Sequence, residues 1–284
     1  MTGFLLLFYG EIAIITSVSI LIGVCFVSRF TLPIIDKQSP FQKEFEPVIR
    51  DLIAHVRSAV PKSLHSIYLY GSVARRQATP GRSNLDVTII TTLPLTNKEQ
   101  TLVNTIKVRF QSKYPQITGV TFNIGEAKEV LQLESIFSWG FWLRHCCVCI
   151  FGDDLSTRFG DFEPSWEIAK NMNMDIEEWL QVYIKKISTN QNIETQVEQQ
   201  KTIAKKVLRS CYSLVMHRDK GWYDHPVLCA RKFLEYYPDK QVEIERLVML
   251  LKGRKIPKRS VIALLKEFGD WVVSEFNKIE RKIG

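Results

Sequence analysis

The sequence lacks the spacings that build metal sites from cysteine and histidine. Its six cysteines include no pair of Cys-x-x-Cys motifs such as a zinc ribbon needs, and its five histidines include no His-x-x-x-His. Three cysteines fall on one predicted strand, where alternation sends Cys146 to one face and Cys147 and Cys149 to the other. These thiols do not converge on one metal and are predicted to be small core residues in a reducing compartment.

The sequence also lacks arginine-glycine repeats, low-complexity tracts and the aromatic signature of RNA-binding domains. Its net charge is +8 and its pI about 9.1, which favours anionic partners: a nucleotide, a nucleic acid or an anionic membrane face. A basic run over residues 252–259 is interrupted by Gly253 and Pro257, so it is predicted to be a loop between helices. Nucleic acid is therefore only a minor candidate partner.

Charge is nearly absent from residues 4–27, where Glu11 is the only charged side chain. Some two dozen helical residues are long enough to cross the roughly 30 Å hydrocarbon layer of a membrane. Arg29, Lys37 and Lys43 follow this segment and no cation precedes it, so we expect a single-pass membrane protein with its globular part in the cytoplasm. Two alternatives remain open: an over-extended start codon, which leaves a cytoplasmic protein, and a buried or partner-binding helix.

The most informative stretch runs from residue 66 to residue 90. It is typical of a strand, a tight Gly71-Ser72 turn, a short helix and a second strand that carries Asn84 and Asp86 on one face. A Gly-Ser turn offers backbone N–H groups and a hydroxyl to a phosphate. A strand carboxylate just beyond it is placed to hold a divalent ion that accompanies a nucleoside triphosphate.

Gly71-Ser72 followed by Asn84-Leu85-Asp86-Val87 resembles the paired motifs of the DNA polymerase β-like nucleotidyltransferase superfamily, with Asn in place of the first Asp. Residues 205–215 and 230–238 are similar to the helical domain of aminoglycoside adenylyltransferases. The resemblance implies an α+β nucleotidyltransferase-like domain, a small mixed sheet with helices, followed by an all-α helical domain. It also implies transfer of a nucleoside monophosphate from ATP to a hydroxyl of a small-molecule acceptor, with two Mg²⁺ ions.

The resemblance also implies roles for individual residues in phosphate binding. Gly71 and Ser72 hold the β- and γ-phosphates, and Arg75 follows them on the short helix. Lys205 and Arg209 lie four residues apart, on one stripe of a helix that faces the nucleotide cleft in the resemblance. We therefore expect these five residues to bind the triphosphate.

The metal site is poorer than the superfamily pattern requires. Asp86 and Asn84 are the implied Mg²⁺ ligands, but Asn84 supplies a neutral oxygen where a second carboxylate is expected, which weakens the site. The neighbouring strand, where active relatives carry a third acidic residue, offers only Gly119, Thr121 or Asn123 on the relevant face, with Glu126 just past its end. Two functions stay open: a nucleotidyltransferase with a weakened metal site, which we favour, and a catalytically degenerate nucleotide-binding or protein-interaction module tethered to the membrane.

We expect three parts: an anchor and linker at residues 1–35, a nucleotidyltransferase-like domain at 36–152 and a helical domain at 153–284. Ser39-Pro40-Phe41-Gln42 carries the N-cap, first-turn proline and capping-box glutamine that open a helix. The strands are predicted at residues 66–70, 85–91, 119–124 and 148–151. The helices of the third part are predicted at residues 174–188, 193–217, 227–237, 241–251 and 260–283.

Overall fold

The computed structural model describes residues 32–283, and within them the chain forms a mixed sheet followed by a helical region. The described sheet has four strands in the order β3-β2-β1-β4. Strand β1 (Leu64–Tyr70) pairs antiparallel with β2 (Ser83–Thr91) and with β4 (Cys147–Gly152), while β2 pairs parallel with β3 (Ile117–Glu126). Each predicted strand is present and is one or two residues longer at one end or both than the alternation indicated.

Helices alternate with these strands. Helix α1 (Glu46–Ala59) precedes β1, α2 (Gly71–Ala74) joins β1 to β2, α3 (Asn97–Lys113) joins β2 to β3, and α4 (Ala127–Val130) follows β3.

The two faces of the sheet are covered differently, and the period-2 alternation of the strands explains how. Ile67 and Leu69 of β1 point to the core that Leu52 of α1 and Phe110 of α3 complete. Tyr68, between them, points to the opposite face and packs in a smaller buried cluster under α4. Both faces of the sheet are therefore covered by buried side chains.

The first helix does not begin where the capping signature predicted. It starts at Glu46, because the residues of the signature are bound elsewhere. The Ser39 hydroxyl donates to the Asp36 carboxylate. The Gln42 side chain forms two hydrogen bonds with the backbone of Ala78, donating to its carbonyl at 3.0 Å and accepting from its N–H at 2.9 Å. This long-range pairing holds the segment against the loop after α2.

The helical region packs around a second apolar core, and Ile203, Leu208 and Phe233 are fully buried there. The predicted helix 193–217 is in fact two helices, which meet at a short turn after Ser213. The helices are α5 (Trp166–Asn173), α6 (Ile176–Thr189), α7 (Ile193–Ser213), α8 (Met216–Asp219), α9 (Pro226–Tyr236), α10 (Gln241–Leu251) and α11 (Lys258–Ile283).

The predicted membrane localisation requires a correction. Between residues 32 and 283, no helix is both long enough and apolar enough to cross a membrane. The longest of these helices, α7 and α11, carry charged residues throughout their length, which makes them too polar to span the hydrocarbon layer. On that finding the prediction of a single-pass membrane protein is wrong. The predicted span itself, residues 4–27, lies outside the described residues.

Candidate functional site

A cleft of about 780 Å³ lies between the end of the sheet and the helical region. This volume is in the range of small-molecule sites in proteins. The cleft is lined from the sheet side by Tyr70, Gly71, Ser72, Arg75 and Asp86, and from the helical side by Arg209, Tyr212, Trp222, Tyr223 and Asp224.

The turn after β1 and the middle of β2 approach each other closely in this cleft. The antiparallel register sets Tyr70 opposite Asp86, so the next residue, Gly71, lies against the Asp86 side chain. Gly71 has a φ of +73°, a conformation that favours glycine. A Cβ added at Gly71 would lie less than 3.0 Å from Asp86 Oδ2, a separation that real Cβ atoms essentially never show. Glycine is therefore required both by backbone conformation and by space.

The Asp86 carboxylate is held by two neutral side chains. Asn84 Nδ2 donates to Asp86 Oδ1 at 2.8 Å and to Thr121 Oγ1 at 2.6 Å. Thr121 is the register partner of Asp86 on the parallel strand β3. Burial raises the pKa of Asp86, and hydrogen bonds from Asn84 and Thr121 together with the Arg75 charge lower it in part.

The donor set fits one magnesium ion and not two. Within residues 32–283, no three His, Cys, Asp or Glu side chains converge as metal ligands. Mg²⁺ is commonly bound through one or two carboxylates plus substrate phosphates and water, a pattern that Asp86 alone can serve. Glu126 pairs with Thr91 at the far end of β3, five residues and therefore about 16 Å along the strand from Thr121. It does not line the cleft.

Arg75 and Arg209, two of the predicted phosphate-binding residues, contact the same residue of the cleft, Asp224. The sequence analysis did not predict Asp224 as a site residue. Arg75 Nη1 forms an ion pair with Asp224 Oδ2 at 3.0 Å. Arg209 Nε donates to the backbone carbonyl of Asp224 at 2.9 Å. The loop before α9 thus joins the short helix after Gly71 to the end of α7. The only local signal for this loop is the Gly-Trp-Tyr sequence that precedes Asp224 between two predicted helices.

Lys205 is not brought to the cleft. It is exposed on α7, one turn before Arg209, and does not line the cavity. Its neighbour Lys206 is also turned away, since its ammonium group pairs with Asp175 at 2.6 Å and donates to the carbonyl of Met172. Of the predicted phosphate-binding set, Gly71, Ser72, Arg75 and Arg209 therefore lie together and Lys205 lies apart.

Aromatic side chains that the sequence analysis did not single out complete the cleft wall. Tyr70 and Trp142 meet edge to face with ring centroids 4.8 Å apart. Trp142 Nε1 donates to Thr88 Oγ1 at 3.2 Å, which fixes the indole ring. Trp142 begins a π-helical turn that ends at Cys146, a type of turn that is frequent at functional sites.

Comparison with known proteins gives a match in structure alone. No family model matches the chain, and neither does any curated protein. The chain is similar to the crystal structure of a spectinomycin adenyltransferase from Enterococcus faecialis with ATP and spectinomycin, with a TM-score of 0.54 and 14% sequence identity. The match covers 81% of this chain and 98% of that one. This likeness shows the fold: a mixed-sheet domain with a helical region, as in nucleotidyltransferases. The predicted fold is confirmed at that level.

Proposed function

We propose that this protein binds ATP in the cleft between the sheet and the helical region and transfers a nucleoside monophosphate to a hydroxyl of a small-molecule acceptor. The observation that carries the proposal is the meeting, in one cleft, of the Gly71 turn, the Asp86 carboxylate and the guanidinium groups of Arg75 and Arg209. The shared fold with an ATP-bound adenyltransferase supports it. An aminoglycoside-like acceptor rests on the resemblance alone.

In this proposal the backbone N–H groups of the Gly71-Ser72 turn and the Ser72 hydroxyl bind phosphate oxygens. Arg75 and Arg209 offset negative charge on the triphosphate from opposite walls. Asp86 holds one Mg²⁺ ion, which supplies Lewis-acid stabilisation of charge on the transferring phosphoryl group. Catalysis then comes mainly from in-line positioning and from charge stabilisation by preorganised groups.

A second candidate function is favoured by one observation. The Asn84 amide donates to Asp86 Oδ1, so one oxygen of the carboxylate is already satisfied by the protein. A cleft built in this way binds a nucleotide through the Gly71 turn and the arginines without requiring a metal. The second candidate is therefore a catalytically degenerate nucleotide-binding module.

Titration calorimetry with ATP, with and without Mg²⁺, tests the proposal on the full-length chain. We expect ATP to bind, and Mg²⁺ to tighten its binding in the wild type but not in Asp86→Asn. Asn84→Asp restores the missing carboxylate, so it should tighten Mg²⁺ binding and raise ATP turnover in the presence of an acceptor. The matched control is Asn104→Asp, which adds the same charge at an exposed position of α3 outside the cleft and should change neither.

The outcomes separate the two candidate functions. If the wild type fails to bind ATP under either condition, the nucleotide site itself is disproved. If ATP binds equally well without Mg²⁺, and Asn84→Asp lowers the melting temperature without gaining turnover, the binding module replaces the enzyme, because two carboxylates would then repel each other.

A further inference from the structure

Residues 32–37, here called the N-terminal strap, connect the two apolar cores. Leu32 is buried in the core of the helical region, and its N–H donates to the carbonyl of Phe162 at 2.9 Å. Ile35 packs against the core of the sheet domain. Lys37 ends the strap in an ion pair with Asp154 at 3.1 Å. The strap therefore crosses from one layer of the protein to the other and is fixed at both ends.

Between its fixed ends, the strap forms one wall of the cleft. Pro33, Ile34, Ile35 and Asp36 line the same cavity as Gly71. Ile34 is 39% exposed and is one of the apolar residues that line this wall. A ligand that fills the cleft would bury that surface. The strap is consequently placed to contact whatever the cleft binds.

His145 forms one hydrogen bond to the strap, at Pro33, and a second one to Phe162, the residue that binds Leu32. Its Nε2 accepts from the N–H of Phe162 at 3.1 Å, so this nitrogen carries no proton. Its Nδ1 lies 3.1 Å from the carbonyl oxygen of Pro33, to which it donates. Both bonds together require the neutral ring with its proton on Nδ1. The ring is 5% exposed and stacks on Phe141 with centroids 5.5 Å apart.

We propose that the strap is a binding wall for the nucleotide and that His145, in its neutral form, is the positioning residue that holds it in place. The proposal rests on the function proposed above. Protonation of Nε2 would break the hydrogen bond from the N–H of Phe162, because two N–H groups would then face each other. The carbonyl of Phe162 also accepts the hydrogen bond from Leu32. One protonation thus disturbs two links of the strap at once.

The charged groups around His145 leave the neutral form favoured. Arg144 and Asp161 are the charged residues that act on the ring, and they pair with each other at 2.6 Å. Burial lowers the pKa of His145 below its usual value near 6.5. The strap is therefore fully held above that value, and its hold is lost as the pH falls through the lower pKa of the folded state.

Two variants of the full-length chain test the hold directly. His145→Gln keeps one donor and one acceptor but cannot titrate, and His145→Phe keeps the stack on Phe141 but forms neither hydrogen bond. The readout is amide hydrogen-exchange protection of Leu32 and Phe162 at pH 7.5 and 5.5. We expect wild-type protection to fall by up to about tenfold between these values, the Gln variant to stay protected and the Phe variant to be unprotected at both.

ATP affinity, measured by calorimetry with Mg²⁺, tests the binding role. At pH 7.5 we expect His145→Phe to bind about threefold to tenfold more weakly than the wild type, and His145→Gln to match the wild type. As the pH falls through the lowered pKa of His145, the affinity of the wild type should fall toward that of the Phe variant. Comparing proteins at one pH cancels the titration of ATP itself. His217→Gln is the control, because burial also lowers the pKa of His217 but this ring packs on Trp166 instead of the strap.

Each result is decisive. Equal protection of Leu32 and Phe162 in all proteins would show that His145 does not hold the strap. Equal ATP affinity in all proteins, despite the expected exchange pattern, would show that the strap is no part of the site. If exchange follows the pattern and no protein binds ATP, the proposed nucleotide function fails, and the nucleotide-binding role of the strap fails with it, while its hold by His145 stands.

Discussion

Gly71 offers the sharpest test of the site, because the chain supplies its own control. Gly71 and Gly81 both have a φ of +73°, so alanine strains the backbone at either position. At Gly71 the new Cβ would collide with Asp86 Oδ2, whereas at Gly81 the nearest atom would be the Pro115 carbonyl oxygen at 3.7 Å. The two substitutions therefore share the strain and differ only in the collision.

The expected magnitudes follow from these two terms. The left-handed conformation costs about 1–2 kcal/mol for alanine at both positions. At Gly71 the collision must also displace the Asp86 carboxylate from Asn84, which adds about 1–2 kcal/mol for a buried hydrogen bond that is lost. We therefore expect Gly81→Ala to lower the free energy of unfolding by about 1–2 kcal/mol and Gly71→Ala by about 2–4 kcal/mol. ATP affinity should fall at least about tenfold in Gly71→Ala only, because the displaced carboxylate and the new methyl group both lie in the cleft.

Urea denaturation of the full-length chain measures these costs. Repeating Gly71→Ala in an Asp86→Ala background removes the atom that the methyl group would strike, so only the strain of about 1–2 kcal/mol should remain. If Gly71→Ala costs the same in both backgrounds, or no more than Gly81→Ala, the close approach of the turn to Asp86 is not an energetic feature of the fold. Our reading of the site would then be refuted.

Two further predictions concern the charges of the cleft. Arg209→Ala should weaken ATP binding about tenfold in calorimetry, while Lys205→Ala, one helical turn away and outside the cleft, should change it less than about twofold. Asp86→Asn should raise the free energy of unfolding at pH 7, because burial raises the pKa of Asp86 and the ionised carboxylate destabilises the fold. That gain should shrink as the pH falls and vanish below 3.8, where the wild-type carboxyl is neutral in both states; a gain that grows on acidification would contradict the assignment.

The sequence predicted those parts of the fold that depend on neighbours along the chain. The spacing Thr96-x-x-Glu99 is that of a capping box, and the two side chains form this box at the start of α3 because both partners lie within one turn. Ser39 and Gln42 carry the same signature and start no helix, since the Gln42 amide binds the backbone of Ala78, 36 residues further on. A local capping energy of about 1 kcal/mol is easily outweighed by such long-range bonds.

The same distinction explains which site residues the sequence could find. Gly71 directly follows β1, and Asp86 lies on β2, the next strand, which pairs with β1. Their proximity in space could therefore be predicted from their spacing in the chain. Asp224 reaches Arg75 only because the helical region packs beside the sheet, and no periodicity in the sequence encodes that packing. Lys205 and Arg209 were predicted together because they are four residues apart on one face of α7. Only part of that face borders the cleft, so Arg209 lines the cavity and Lys205 does not.

Asn84 is the residue that bears most directly on the choice between the two candidate functions, because it affects metal binding and not the phosphate-binding turn. An aspartate in its place would share a strand face with Asp86 and require a cation to offset the repulsion. The asparagine instead donates to Asp86 and to Thr121, so the three side chains satisfy one another through the protein alone. A magnesium ion must therefore compete with an existing hydrogen bond and gains one charge less when it binds. Metal affinity falls for both reasons, whereas the turn at Gly71 and the two arginines are unaffected. The nucleotide-binding part of the site can thus persist where the metal-binding part is weakened, and the Mg²⁺ dependence of ATP affinity is the quantity that separates them.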